Sequence, residues 1–123
     1  MSLNEGVAAA IYAAVGLVHL LPGLAFFAPA MISWLYGSGA DGAVLLMLRH
    51  RASLLGGVGI VLLIAVALPA WRPAATLVGG LSMASFLALW LGAGPNRKAL
   101  QTIALVDAIA LPALAAAFLL TQI

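Results

Sequence analysis

Four long apolar runs divide the chain, at residues 5–27, 42–68, 73–91 and 96–120, with short Pro/Gly-rich or polar stretches between them. At a helical rise of about 1.5 Å per residue the first run is about 34 Å long, enough to cross a hydrocarbon layer of about 30 Å, and the others fall within or slightly above the usual length of spanning helices. The runs are continuous, whereas barrel strands alternate apolar and polar residues, so the pattern predicts helices. Pro22-Gly23 predicts a kink near the end of the first run, and Pro112 a bend in the last. Residues 29–37 are too short to span. Pro29 suits a helix start, Gly37 a stop, and Trp34 and Tyr36 the headgroup level. They predict a short interfacial helix, followed by a loop over 38–42 with Asp41 as an N-cap. The expected fold is all-α, a single four-helix transmembrane bundle over residues 1–123 with one interfacial helix after the first span.

Helical periodicity then assigns faces. Tyr12, Gly16, His19, Gly23 and Phe26 recur at three- and four-residue spacing, so small and polar residues share one stripe facing the bundle. In the second run Arg49 and Arg51 lie about 200° apart on a helix and cannot share a face. Arg49 continues into Ser53, Gly56 and Ile60, with Ala52 beside it. Arg51 continues into Leu55, Val58 and Leu62. Small residues mark helix–helix contact and bulky ones suit lipid. The expectation is therefore Arg49 inward and Arg51 snorkelling outward. Ala75/Gly79 and Ser82/Ser85 mark contacts of the third run.

Composition strengthens the membrane reading. Hydrophobic residues make up 66% of the 123 and charged residues 7%, far below the roughly one-quarter charged of soluble domains. A net charge of +2 gives no case for a nucleic-acid partner, and the lack of cysteine removes disulfides and thiolate chemistry. Glu5 stands where a signal peptide would carry basic residues, so the first run is expected to stay in the protein. Arg97 and Lys98, with Arg49 and Arg51 nearby, make the first and third loops the basic ones; the other side has only Arg72. The positive-inside rule then puts both termini on the non-cytoplasmic side.

This topology brings His19, Arg49, His50, Asn96 and Asp107 to similar depth, as the lining of one cavity open to the cytoplasm, with Tyr12 on the same stripe as His19. A carboxylate in mid-membrane must pair, be hydrated or stay protonated, and Arg49 is the expected partner of Asp107. Two readings follow: a structural clasp, or a site in which Arg49 holds a polar group while Asp107 and His19 move protons. Asn96 lies eleven residues, almost three turns, before Asp107, which puts both on one face. No phosphate-binding loop, zinc-protease, serine-hydrolase or Cys/His metal motif is present, so neither a metal nor a cofactor is expected.

Leu48-Arg49-His50-Arg51 leading to Gly56-Gly57, Arg72-Pro73 opening the third run, Ser82-Met83-Ala84-Ser85-Phe86 and the late Asp107 together resemble the small four-helix bacterial inner-membrane proteins grouped as DoxX-like. That resemblance implies a four-helix bundle in the bacterial inner membrane, in a group that includes members linked to quinone-coupled oxidation. The leading expectation is a membrane protein whose cavity binds an amphipathic molecule such as a lipid or quinone, with membrane lipid as its partner and self-association open. The alternatives are a small membrane enzyme doing acid–base isomerisation or cyclisation on a lipophilic substrate, and a small transporter or channel.

Overall fold

Ser2 opens the first helix. Its Oγ accepts the Glu5 N–H at 3.2 Å and so caps α1, Leu3–Gly23. In the computed structural model, which describes residues 2–36 and 42–123, four further helices follow. They are α2 (Ala30–Tyr36), α3 (Gly42–Ala67), α4 (Arg72–Leu91) and α5 (Gln101–Leu120). Among the described residues there is no strand, and the fold is an all-α bundle of four long helices plus the short α2.

Each expected run is a helix, with shifts where local chemistry decides. After Pro22, which has no N–H to give, α1 tightens into a 3-10 turn over Leu24–Phe26. The last helix begins at Gln101, five residues later than expected. Gly94, at φ +57°, and Pro95 turn the chain first, and Asn96 ends a separate 3-10 turn, Gly94–Asn96. The supposed continuous face from Asn96 to Asp107 is therefore broken. The Gly37 stop, the loop and the Asp41 cap lie outside the described residues.

Helices α1 and α3 meet backbone to backbone. A methyl group on Gly23 would sit 2.7 Å from the Gly56 Cα, and one on Gly59 would sit 2.7 Å from the Gly16 carbonyl oxygen. Residue 16 faces 59 and residue 23 faces 56, so the pair runs antiparallel. This is the small-residue packing that lipid favours, where burying apolar surface gives helices no reason to associate and close contact must do so. Helix α3 also packs on α4, α4 on α5, and α5 back on α1, which closes the ring. Tyr12, Leu62, Met83 and Leu114, one from each long helix and all fully buried, fill its centre. A smaller cluster of Ala25, Ile32 and Ala52 holds α2 against α3.

The outer surface is apolar. Leu17, Leu54, Leu81, Leu105 and Ile109 are each more than half exposed. The stretches Leu3–Phe26, Gly42–Ala67, Pro69–Leu91 and Gln101–Leu120 are long and apolar enough to cross a membrane. Outward leucine around a glycine- and alanine-rich contact is what a lipid solvent selects.

Candidate functional site

A cavity of about 280 Å³ opens in the half of the bundle that holds α2, and all five helices line it. His19 comes from α1, Trp34 from α2, Arg51 from α3, Ser82 from α4, and Thr102 and Asp107 from α5. The remaining wall is apolar, with Val18, Leu55 and Val106 among its members. The positions on α5 follow from helical spacing, because 102, 103, 106 and 107 form one stripe.

The structure brings His19 and Asp107 together, as their depth suggested. The arginine beside them is Arg51, not Arg49, which reverses the expected orientations. Leu62, three turns beyond Arg51, is fully buried, whereas Ile60, three turns beyond Arg49, is half exposed. The small residues Gly56 and Gly59 mark the contact with α1, and Ala52 packs beside it against Ala25 and Ile32. The bundle centre needs bulk, and α3 supplies it from the Arg51–Leu55–Leu62 stripe. Arg51 also stacks over the Phe86 ring of α4, 5.7 Å from its centroid. Its charge acts on both His19 and Asp107.

Arg49 has a different task. Its Nε and Nη2 donate to the Phe26 carbonyl at 3.2 and 2.8 Å, and its guanidinium lies 5.6 Å from the Phe26 ring centroid. Phe26 ends the 3-10 turn, where carbonyls lack helical partners, and a cation there suits the dipole. The Asp107–Arg49 clasp does not form. His50 and Asn96 are exposed and do not line the cavity.

Tyr12 is buried outside the cavity. Its hydroxyl shares a 2.6 Å hydrogen bond with Thr76 Oγ1, and Arg72 lies over its ring. Arg72 is itself buried, donates through Nε to the Ala65 carbonyl at 3.2 Å, and pairs with Glu5 at 2.7 Å. The sequence showed Arg72 as the basic residue of the non-cytoplasmic side and Glu5 as an acidic residue early in the first run, without pairing them. The topology held the missing signal, since the starts of α1 and α4 fall at the same end and carry opposite charges.

Inside the cavity the polar groups differ in how well they are satisfied. His19 is buried, and its Nδ1 lies 3.0 Å from the Val15 carbonyl oxygen. A carbonyl can only accept, so Nδ1 carries the proton and Nε2 of the neutral ring keeps its lone pair. Asp107 is half-buried, and among the described residues its carboxylate has no hydrogen bond and no ion pair. Arg51 and Asp107 line the same cavity, and no ion pair joins the two. Among the described residues no three His, Cys, Asp or Glu side chains cluster as metal ligands would.

At the neighbouring loop Trp90 Nε1 donates to the Arg97 carbonyl at 2.9 Å, and the Arg97 guanidinium lies 4.5 Å from the Trp90 ring centroid. Arg97 and Lys98 are both exposed there. Comparison with models of known families, with curated proteins and with solved structures finds no match. The geometry of the cavity therefore carries the functional reading.

Proposed function

We propose that this chain is a multi-pass membrane protein whose cavity binds an amphipathic molecule, with the polar head between Arg51, His19 and Asp107 and the apolar part along Leu55 and Val106. The observation that carries this reading is Asp107, a half-buried carboxylate with no hydrogen-bond or ion-pair partner among the described residues, lining the same cavity as Arg51. A carboxylate left so in an apolar wall is costly, and a bound polar group removes that cost. The apolar remainder of the wall suits a lipophilic body. Mass spectrometry of the protein released intact from detergent tests the reading. Wild type is expected to retain a lipophilic molecule that Arg51→Leu loses.

The proposal includes the setting. The basic residues Arg97 and Lys98 near the cavity end favour a cytoplasmic location for that end and an outer location for both termini, in a bacterial inner membrane of the kind that houses DoxX-like bundles. A C-terminal reporter that works only after export should be active.

A second reading is favoured by one observation: His19, which lines the cavity with Asp107, has its Nδ1 hydrogen-bonded to the Val15 carbonyl and, among the described residues, no hydrogen bond at Nε2. Acid–base isomerisation of the bound molecule would use His19 to take a proton and Arg51 to stabilise the developing charge. Deuterium uptake into the bound molecule, lost in His19→Gln, distinguishes turnover from storage. A transporter needs access from both faces, and the buried layer of Tyr12, Leu62, Met83 and Leu114 fills the bundle beyond the cavity.

A further inference from the structure

Resting on the cavity reading above, the geometry points to a particular headgroup. We infer that the cavity selects a lipid whose head carries both a phosphate and a primary ammonium, the phosphate held by Arg51 and the ammonium by Asp107.

Arg51 projects from α3 and Asp107 from α5, helices that lie diagonally in the ring, and the cavity lies between them. They attract each other through that space without forming an ion pair. A ligand with only a negative head suits the Arg51 charge but brings a like charge to Asp107, which costs affinity. A neutral head leaves the carboxylate with weaker donors than a cation offers. A head with both signs satisfies the two walls at once. Arg51 has five N–H donors in a planar fork, so it can hold a phosphate while keeping its other contacts.

The ammonium is primary for a chemical reason. A carboxylate gains most from a cation that donates hydrogen bonds, and a quaternary ammonium has no N–H. Ser82 and Thr102 supply hydroxyl acceptors on the same wall. Among the described residues no cage of aromatic rings closes over this space, as choline recognition uses; of those lining it Trp34 is aromatic, and it is largely exposed. The cavity of about 280 Å³ is small for a whole lipid. It takes the head and the first part of the chains, and the tails leave over exposed leucines into the bilayer.

The test is lipid competition on the full chain. Purified protein is exchanged into an equimolar mixture of phosphatidylethanolamine, phosphatidylglycerol and phosphatidylcholine with identical acyl chains, and the retained lipid is read by native mass spectrometry. Wild type is expected to favour phosphatidylethanolamine by about tenfold, a difference of about 1.4 kcal/mol. Asp107→Asn should lose that preference and still hold phosphatidylglycerol, while Arg51→Gln should hold both weakly. Soluble glycerophosphoethanolamine, which has the head without the tails, should not displace the lipid; displacement would move the assignment to a water-soluble zwitterion and overturn the lipid claim. Equal retention of the three lipids, or a preference for phosphatidylglycerol, would overturn the headgroup assignment and leave the cavity as a lipid site. Retention of no lipid by wild type would overturn the cavity reading as well. The wild-type comparison needs no variant, so a poorly folding mutant does not remove the test.

Discussion

Arg72 donates from Nη1 to Glu5 Oε2 across 2.7 Å and ties the first turn of α1 to the first turn of α4. The two helices are diagonal neighbours that run the same way, since residue 5 meets 72 and residue 12 meets 76. This pair, with the Tyr12 ring beneath it, closes the end of the bundle opposite the cavity. It is a holding device at the far end of the bundle from Arg51 and Asp107.

Removing Glu5 strands a buried cation. Glu5→Gln is expected to cost about 1–2 kcal/mol, less than the 3–5 of a fully buried pair because the Glu5 carboxylate is partly exposed. Tyr12→Phe removes only the hydroxyl bond to Thr76 and should cost about 1 kcal/mol. Thermal unfolding in detergent reads both. Neither variant should change which lipid is retained, because neither residue lines the cavity.

Two glycines two residues apart make a sharper test of the packing. A methyl group on Gly59 would lie 2.7 Å from the Gly16 oxygen and 2.8 Å from the Leu20 nitrogen, both backbone atoms that cannot step aside. Gly59→Ala should therefore push α1 from α3 and cost about 1–3 kcal/mol. A methyl group on Gly57 meets nothing within 4 Å. Gly57→Ala should be neutral or stabilising by up to about 1 kcal/mol, the helix-propensity gain. Equal melting shifts for the two would contradict the α1–α3 contact.

The two arginines should separate stability from binding. Arg49→Leu frees the Phe26 carbonyl and loosens the end of α1, so it should lower the melting temperature while ligand retention survives. Arg51→Leu should abolish retention. Loss of retention in Arg49→Leu, with Arg51→Leu unaffected, would restore the opposite assignment.

Much of the architecture was legible because lipid-facing helices leave a plain record. Four continuous apolar runs gave the four long helices, and Pro29 marked the start of the short α2. The stripe through Tyr12, Gly16, His19 and Gly23 is the buried face of α1, whereas Phe26, expected on the same stripe, lies beyond the helix end and is exposed. The orientation of α3 was not legible from small residues alone. Ala52 and Gly56 report the α1 contact, but α3 has two inner directions, and the second is filled by Leu62 and crowned by Arg51. The Glu5–Arg72 pair escaped because it joins residues 67 apart through the bundle end, which periodicity within one helix cannot see. Asn96 was misplaced because Gly94 and Pro95 interrupt a helix that apolar character alone would extend.

The central claim is that the cavity between Arg51 and Asp107 holds a defined amphipathic molecule. Photo-crosslinking inside a native membrane tests it most directly, with a photoreactive residue at Leu55, which lines the cavity, or at Leu54, which is exposed on the outer surface. The account predicts one dominant lipid species captured at position 55, lost on adding Arg51→Leu, and the mixed composition of the surrounding bilayer captured at position 54. The same mixture at both positions would contradict it.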